Sequence, residues 1–256
     1  MFAEMEQFLP QVEKLMRSTV KVDSESEASN DAAGPMCCEH LETGGKRLRA
    51  RLALAAAKAL NVSPLDVVSW AASCELLHNA TLVHDDLQDG DTVRRGKPTI
   101  WVSHGMAQAI NVGDLLWAGP YLAVDSLPEK ISEAVKYHLM HTLAHYSACV
   151  VRGQANELHL LQNGIADQSF YCQAIRGKTS ALFELPVVGA ALLAGYSRGE
   201  AQAIAAPFTN LGVLFQMQDD VLDLFGDKGR DEVGSDLKEG KISALVAEHL
   251  LLHPED

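Results

Sequence analysis

Two apolar helices that each run into a cluster of aspartates restrict this sequence more than any other feature. From Val67 to Val83 the chain reads VVSWAASCELLHNATLV, apolar around most of a helical circumference, so this helix belongs inside a bundle rather than on its surface. It then enters His84, Asp85, Asp86, Leu87, Gln88 and Asp89. A buried helix that emerges in three carboxylates must find them partners, because an unpaired charge away from water is costly. Further along, NLGVLFQM leads into Gln218, Asp219, Asp220, Val221, Leu222 and Asp223. The design occurs twice.

The rest of the chain also reads as helix. Ala, Leu, Glu, Lys and Gln dominate the long segments, and alternating β-branched runs are nearly absent. The pattern predicts helices over 3–18, 45–60, 64–89, 104–126, 129–162, 167–196, 199–226 and 241–252. Ser63 and Pro64 supply an N-cap followed by proline at the first helical position. The polar, acidic stretch from Asp23 to Gly34 reads as a surface loop.

In each DDxxD, the first and last aspartates are four apart, on one helical face, about 6 Å from each other along the axis. Such a pair is a poor closed cage for a hard cation but a good partial clamp. Magnesium takes one or two carboxylates and completes its octahedron with water and phosphate oxygens. A single DDxxD is commonly no more than a solvated helix end. Two of them, each closing an apolar helix, favour a pair of faces gripping one diphosphate through bridging magnesium ions.

Charge narrows the ligand class. A net charge of −13 excludes nucleic acid as a partner, since phosphate backbones are bound by basic surfaces. Yet Lys46, Arg47, Arg49 and Arg51 fall together, as do Arg94, Arg95 and Lys97, which suits a small anion held locally. The five cysteines are odd in number and lack CxxC spacing, so neither a disulfide framework nor a zinc site is indicated, and a reducing cytoplasmic setting is expected. The N-terminus lacks the pattern of a signal peptide. The longest apolar stretch, Leu185 to Tyr196, is too short to cross a bilayer, and a soluble protein is expected.

From Gly44 to Lys241 the sequence resembles the trans-type prenyl diphosphate synthase (polyprenyl synthetase) family. Gly44-Gly45-Lys46-Arg47-Leu48-Arg49 is similar to its GGKRLRP element, with Ala50 in place of proline. Asp85-Asp86-Leu87-Gln88-Asp89 with Arg94-Arg95-Gly96-Lys97-Pro98-Thr99 resembles the first aspartate-rich motif and its RRGxPT tail. Gly113-Asp114, Gly153-Gln154 and Lys178-Thr179 fall where the family has GD, GQ and KT elements. Phe215 to Asp223 resembles the second motif, and Gly234-Ser235-Asp236 with Glu239-Gly240-Lys241 its lysine tail. Three departures stand out: Glu157 replaces an aspartate after the GQ element, Asp231 and Glu232 precede Gly234 where a lysine is usual, and the chain stops at Asp256, before further helices usual in the family. Lys228 or Arg230 could substitute for the missing lysine.

The resemblance implies an all-α, single-domain bundle of mostly antiparallel helices around a central cavity, the isoprenoid synthase fold, assembled as a homodimer. It implies a prenyltransferase that condenses an allylic diphosphate with isopentenyl diphosphate. Asp85, Asp86, Asp89, Asp219 and Asp223 would coordinate a cluster of three Mg2+ ions, with Asp220 and Lys178 completing the catalytic set. Lys178, Thr179, Arg94, Gln216 and Lys241 would hold the allylic diphosphate; Lys46, Arg49, His78 and Arg95 would hold isopentenyl diphosphate. By its spacing alone His78 reads equally well as a core histidine. The family suggests that the released diphosphate, not a side chain, removes the final proton.

Product length should be read on the face running back from Asp85, where Thr81 lies about 6 Å below, Leu77 about 12 Å, Cys74 about 16 Å and Trp70 about 22 Å. Ala80 and Thr81 are small where aromatic residues typically block the groove in this family, which points to geranylgeranyl or longer products, with Leu77 or Trp70 as floors. A neighbouring helix, through Trp117, or a partner subunit could close the groove earlier, making a C15 farnesyl diphosphate synthase the alternative. An HD phosphohydrolase would need further converging histidines, and a terpene cyclase would not need the GGKRLR and RRG clusters. A non-catalytic partner subunit would be expected to have lost an aspartate motif, whereas both are present.

Overall fold

A computed structural model describes residues 5–22, 30–163, 168–226, 234, 237 and 240–253. The helices are α1 (Leu9–Thr19), α2 (Ala33–Leu41), α3 (Leu48–Ala59), α4 (Val68–Asp89), α5 (Ile100–His104), α6 (Met106–Asp125), α7 (Glu133–Asn163), α8 (Gln168–Ile175), α9 (Ala181–Leu193), α10 (Arg198–Ala205), α11 (Pro207–Phe225) and α12 (Ala244–Leu252). Among the described residues the only sheet is a two-stranded antiparallel hairpin, β1 (Val93–Arg94) and β2 (Lys97–Pro98), so the all-α expectation holds. Two compact units form: residues 1–143 with 186–204, and residues 144–185 with 205–256.

In the first unit α4 is the central helix. Every residue from Ser69 to Leu77 is buried, as its apolar circumference predicts, and it packs against α1, α3 and α6. Leu54, Leu76, Leu77 and Leu116 are completely enclosed. The Trp70 indole donates to the Pro186 carbonyl at 3.1 Å, and a Cβ on Gly189 would fall 1.9 Å from that indole, so only glycine lets the ring lie flat there. The buried Ser73 hydroxyl lies 2.9 Å from both Ser69 O and Pro120 O, two backbone acceptors for its one proton.

In the second unit the predicted helix over 167–196 is interrupted. Residues Arg176–Ser180 form a π-helical turn between α8 and α9. The cause is a close crossing with α7: a Cβ on Gly153 would meet the Lys178 backbone N at 2.2 Å, and one on Gly177 would meet the Gly153 Cα at 2.9 Å. Two glycines permit the approach, and the widened turn accommodates it. Beside it, Glu184 accepts from Tyr146 OH at 2.9 Å and from the Thr209 hydroxyl, linking α9 to α7 and α11.

Other departures from the sequence expectation have local reasons. The loop expected to reach Gly34 ends earlier, because Asp31 Oδ1 accepts from the backbone N of Ala33 and Gly34 and starts α2, which was not foreseen. The predicted helix over 199–226 is two helices, since Pro207 opens α11. The RRGKPT stretch is a hairpin whose turn residues, Arg95 (φ 53°) and Gly96 (φ 75°), are both left-handed. Lys228, Arg230, Asp231, Glu232, Ser235, Asp236 and Glu239 lie outside the described residues.

Candidate active site

The first aspartate cluster closes α4. Three carboxylates there, with no basic residue in the last turn, stand at the negative end of the helix macrodipole, which disfavours their charge and calls for cationic partners from outside the helix. They are not equivalent. Asp86 is 2% exposed and is gripped by Arg94, whose Nε donates to its Oδ1 at 2.5 Å. Burial pushes the Asp86 carboxyl above the usual aspartate range, against the pull of Arg94. For Arg94 burial pulls downward, but the hydrogen bond and charge of Asp86, then Asp91 and Asp85, outweigh it and raise the guanidinium. Asp85 and Asp89, four apart and half-buried, form the outer pair. Behind them the GD element explains itself: Gly113 leaves room for the His84 ring, which faces Asp114 Oδ1 at 3.5 Å and stacks on Trp117. His84 thus packs between the GD element and Trp117.

The basic elements of the same unit converge on one loop. Gly44 (φ 86°), Gly45 (φ 128°) and Arg47 (φ 50°) turn the chain into α3, a path that explains the paired glycines. Arg95 folds back from the hairpin, donates to the Gly44 carbonyl and lies where a Cβ on Gly45 would fall 2.8 Å from its guanidinium. Lys46 is exposed beside it. Arg49 Nη1 sits 3.3 Å from His78 Nε2. Burial, then the charges of Arg49, Arg95 and Arg94, hold His78 well below the usual histidine range, so Nε2 must accept from Arg49 and Nδ1 must carry the proton. That buried Nδ1 has no hydrogen-bond partner.

Sequence reasoning missed three residues of this half. Arg47, counted with the basic cluster, is a structural residue: it is 6% exposed, donates to Leu41 O at 2.8 Å and pairs with Glu13 at 3.0 Å. Buried Glu75 accepts from the Ala50 backbone N at 3.1 Å, capping the start of α3 from another helix. His40 lines a cavity of about 190 Å³ shared with Thr43, Asp86, Arg94, Lys97 and Thr99. Burial, then Arg94 and Arg95, pushes His40 down to about 3. No local pattern marks these residues, because each acts across a long sequence separation.

The second aspartate cluster lies in the last two turns of α11, again without a basic residue in the last turn. Asp220 and Asp223 are each 4% exposed, and Asp219 is half-buried. Asp220 is saturated: Gln216 Nε2 donates to Oδ1 at 3.0 Å, while Tyr171 OH at 2.5 Å and the Ala244 backbone N at 2.8 Å donate to Oδ2. Thr179 Oγ1 donates in turn to Gln216 Oε1 at 3.0 Å. Lys178 pairs with Glu157 at 2.7 Å, so the glutamate that departs from the family pattern supplies a working carboxylate. Lys241 lies three residues before α12.

Among the described residues no three His, Cys, Asp or Glu side chains stand close enough to form a closed metal cage. The donor set fits magnesium in another way. Asp86 and Asp220 are spent on Arg94 and on Tyr171, Gln216 and Ala244. The first and last carboxylates of each cluster stand four apart on one helical face, a spacing suited to magnesium, which takes one or two carboxylates when substrate oxygens complete its shell.

The polyprenyl synthetase family pattern matches residues 34–256. A short chain isoprenyl diphosphate synthase of Methanocaldococcus jannaschii is 38% identical over 219 residues, 84% of this chain and 65% of that protein. A geranylgeranyl diphosphate synthase of Methanosarcina mazei is 34% identical over 211 residues, 80% of this chain and 64% of its own. The crystal structure of geranylgeranyl pyrophosphate synthetase from Pyrococcus horikoshii superposes with a TM-score of 0.87 at 29% identity, covering 98% of this chain and 75% of that one. The chain therefore spans about 65% of the length of the first of these relatives.

Proposed function

The chain belongs to the polyprenyl synthetase family, and from that premise we propose that it is a trans-prenyltransferase joining an allylic diphosphate to isopentenyl diphosphate. The observation that carries this reading is the paired design of α4 and α11: each ends in three carboxylates at its negative pole, with no basic residue in its last turn and the middle carboxylate held by Arg94 in one and by Tyr171 in the other.

In this reading Asp85, Asp89, Asp219 and Asp223 hold Mg2+, three ions per site, on the allylic diphosphate. Bound there, the ions supply charge that stabilises the leaving diphosphate as it develops. Lys178, Thr179, Gln216 and Lys241 orient the same group, and Asp86 fixes Arg94 alongside it. Breaking the allylic C–O bond sends its electron pair to the diphosphate; the isopentenyl double bond then attacks the cation, and a proton leaves to the released diphosphate. Lys46, Arg49, Arg95 and the His78 Nδ1–H bind the second diphosphate. The apolar helices keep water from the cation.

Small Ala80 and Thr81 below Asp85 support a C20 or longer product, as do relatives named for geranylgeranyl diphosphate. Homodimeric assembly is proposed on family resemblance, and a cytoplasmic site on five free cysteines. No helix among the described residues is long and apolar enough to cross a membrane. The test is a product assay with isopentenyl diphosphate and primers of increasing length, with and without Mg2+. Magnesium-dependent chain extension is expected; absence of any product with every primer overturns the reading.

A further inference from the structure

We propose that Tyr171 is a positioning residue: through Asp220 it latches the start of α12 and so sets where Lys241 meets the allylic diphosphate. The inference rests on the proposed function for its substrate but on separate geometry for its mechanism. Tyr171 OH and the Ala244 backbone N both donate to Asp220 Oδ2, at 2.5 and 2.8 Å. One carboxylate oxygen therefore joins α8, α11 and the first residue of α12.

The connection back to Lys241 is short and ordered. Ser243 caps α12, its side chain accepting from Val246 N at 3.3 Å, and Ser243 N donates to Lys241 O at 3.1 Å. Between Lys241 and the latched Ala244 only two residues intervene, and both are fixed: Ser243 by the cap, Ile242 by packing with Ala244 against the buried cluster of Tyr171, Ile175 and Ala247. Displacing Ala244 must displace Lys241. The other Asp220 oxygen accepts from Gln216, which accepts from Thr179, so the same carboxylate registers Lys241 against two further proposed contacts of that diphosphate.

Two variants each break one donor contact of the latch at residues outside the proposed diphosphate contacts. Tyr171→Phe keeps the ring in the apolar cluster and removes only the hydroxyl. Ala244→Pro suits the backbone, since proline is accepted at the first helical position and Ser243 before it is already extended (φ −80°, ψ 168°), but it replaces the N–H with a ring carbon facing Asp220 Oδ2 and so forces that carboxylate away as well. Loss of one hydrogen bond to a charged acceptor predicts a rise of about tenfold in KM for the allylic diphosphate, with KM for isopentenyl diphosphate unchanged. Since both act on one oxygen, the double variant should lose less than the product of the two single losses.

Independently of turnover, amide hydrogen exchange in α12 should quicken in Tyr171→Phe while that of α11 stays as in the wild type. Unchanged α12 exchange overturns the latch, and so does an equal rise in KM for both substrates. A wild-type protein with no product from any primer overturns the proposed function instead, and the exchange experiment still decides the latch.

Discussion

Arg94 holds the buried carboxylate of Asp86 at 2.5 Å, and this contact divides the first aspartate cluster into a structural centre and two outer ligand candidates. Arg94→Gln would leave Asp86, 2% exposed, without its compensating charge. Breaking a buried pair from one side predicts a loss of about 3 kcal/mol at pH 7, read by denaturant unfolding. The sign with pH follows from linkage. Burial raises the Asp86 carboxyl in the folded state, so that state binds the proton more tightly than the unfolded chain, and stability falls as pH rises through the interval. The variant's deficit should therefore shrink as the solution is acidified below the carboxylate range.

His40 predicts the opposite slope. Its folded value is pushed to about 3 from 6.5, so between those limits the unfolded chain holds a proton that the folded one refuses. Stability should fall as pH drops below 6.5, by about 1.4 kcal/mol per unit from this group. Unfolding of His40→Gln from pH 7 to pH 5 should show a shallower loss than the wild type; an identical slope contradicts the assignment.

Gly153→Ala places a methyl group 2.2 Å from the Lys178 backbone N. The π-helical turn must shift, at a cost of about 1–3 kcal/mol in thermal unfolding. Because the turn carries Lys178 and Thr179, KM for the allylic substrate should rise more than KM for isopentenyl diphosphate.

Thr81→Phe should shorten the product. Thr81 lies one turn below Asp85, and a phenyl ring there fills the face along which the chain is proposed to grow. Chromatography of products labelled with isopentenyl diphosphate should show a shift from C20 or longer toward C15; an unchanged distribution contradicts growth along this face.

Much of the architecture was legible because it depends on local pattern. The apolar circumference of α4 and the two DDxxD spacings are properties of single segments, and they correctly gave a buried helix and two carboxylate-bearing helix ends. The π-helical turn was not legible, since its cause is Gly153 pressing on Gly177 from 24 positions away. The roles of Asp86 and Asp220 were hidden for the same reason. In sequence they equal their neighbours; the contacts to Arg94 and Tyr171, brought in by a hairpin and another helix, are visible only in the fold. Composition placed Arg47 among anion-binding residues, and its contacts with Glu13 and Leu41 return it to the scaffold.

The central claim is that carboxylates from α4 and from α11 act on one diphosphate. A double-mutant cycle in the magnesium-dependent binding of an unreactive allylic diphosphate analogue tests it most directly. Asp85→Asn and Asp219→Asn should each weaken binding in the presence of Mg2+, and together they should weaken it by less than the sum of the two free-energy losses, because both hold the same ion-bridged group. Strictly additive losses, or binding indifferent to Mg2+ in all four proteins, would contradict the account.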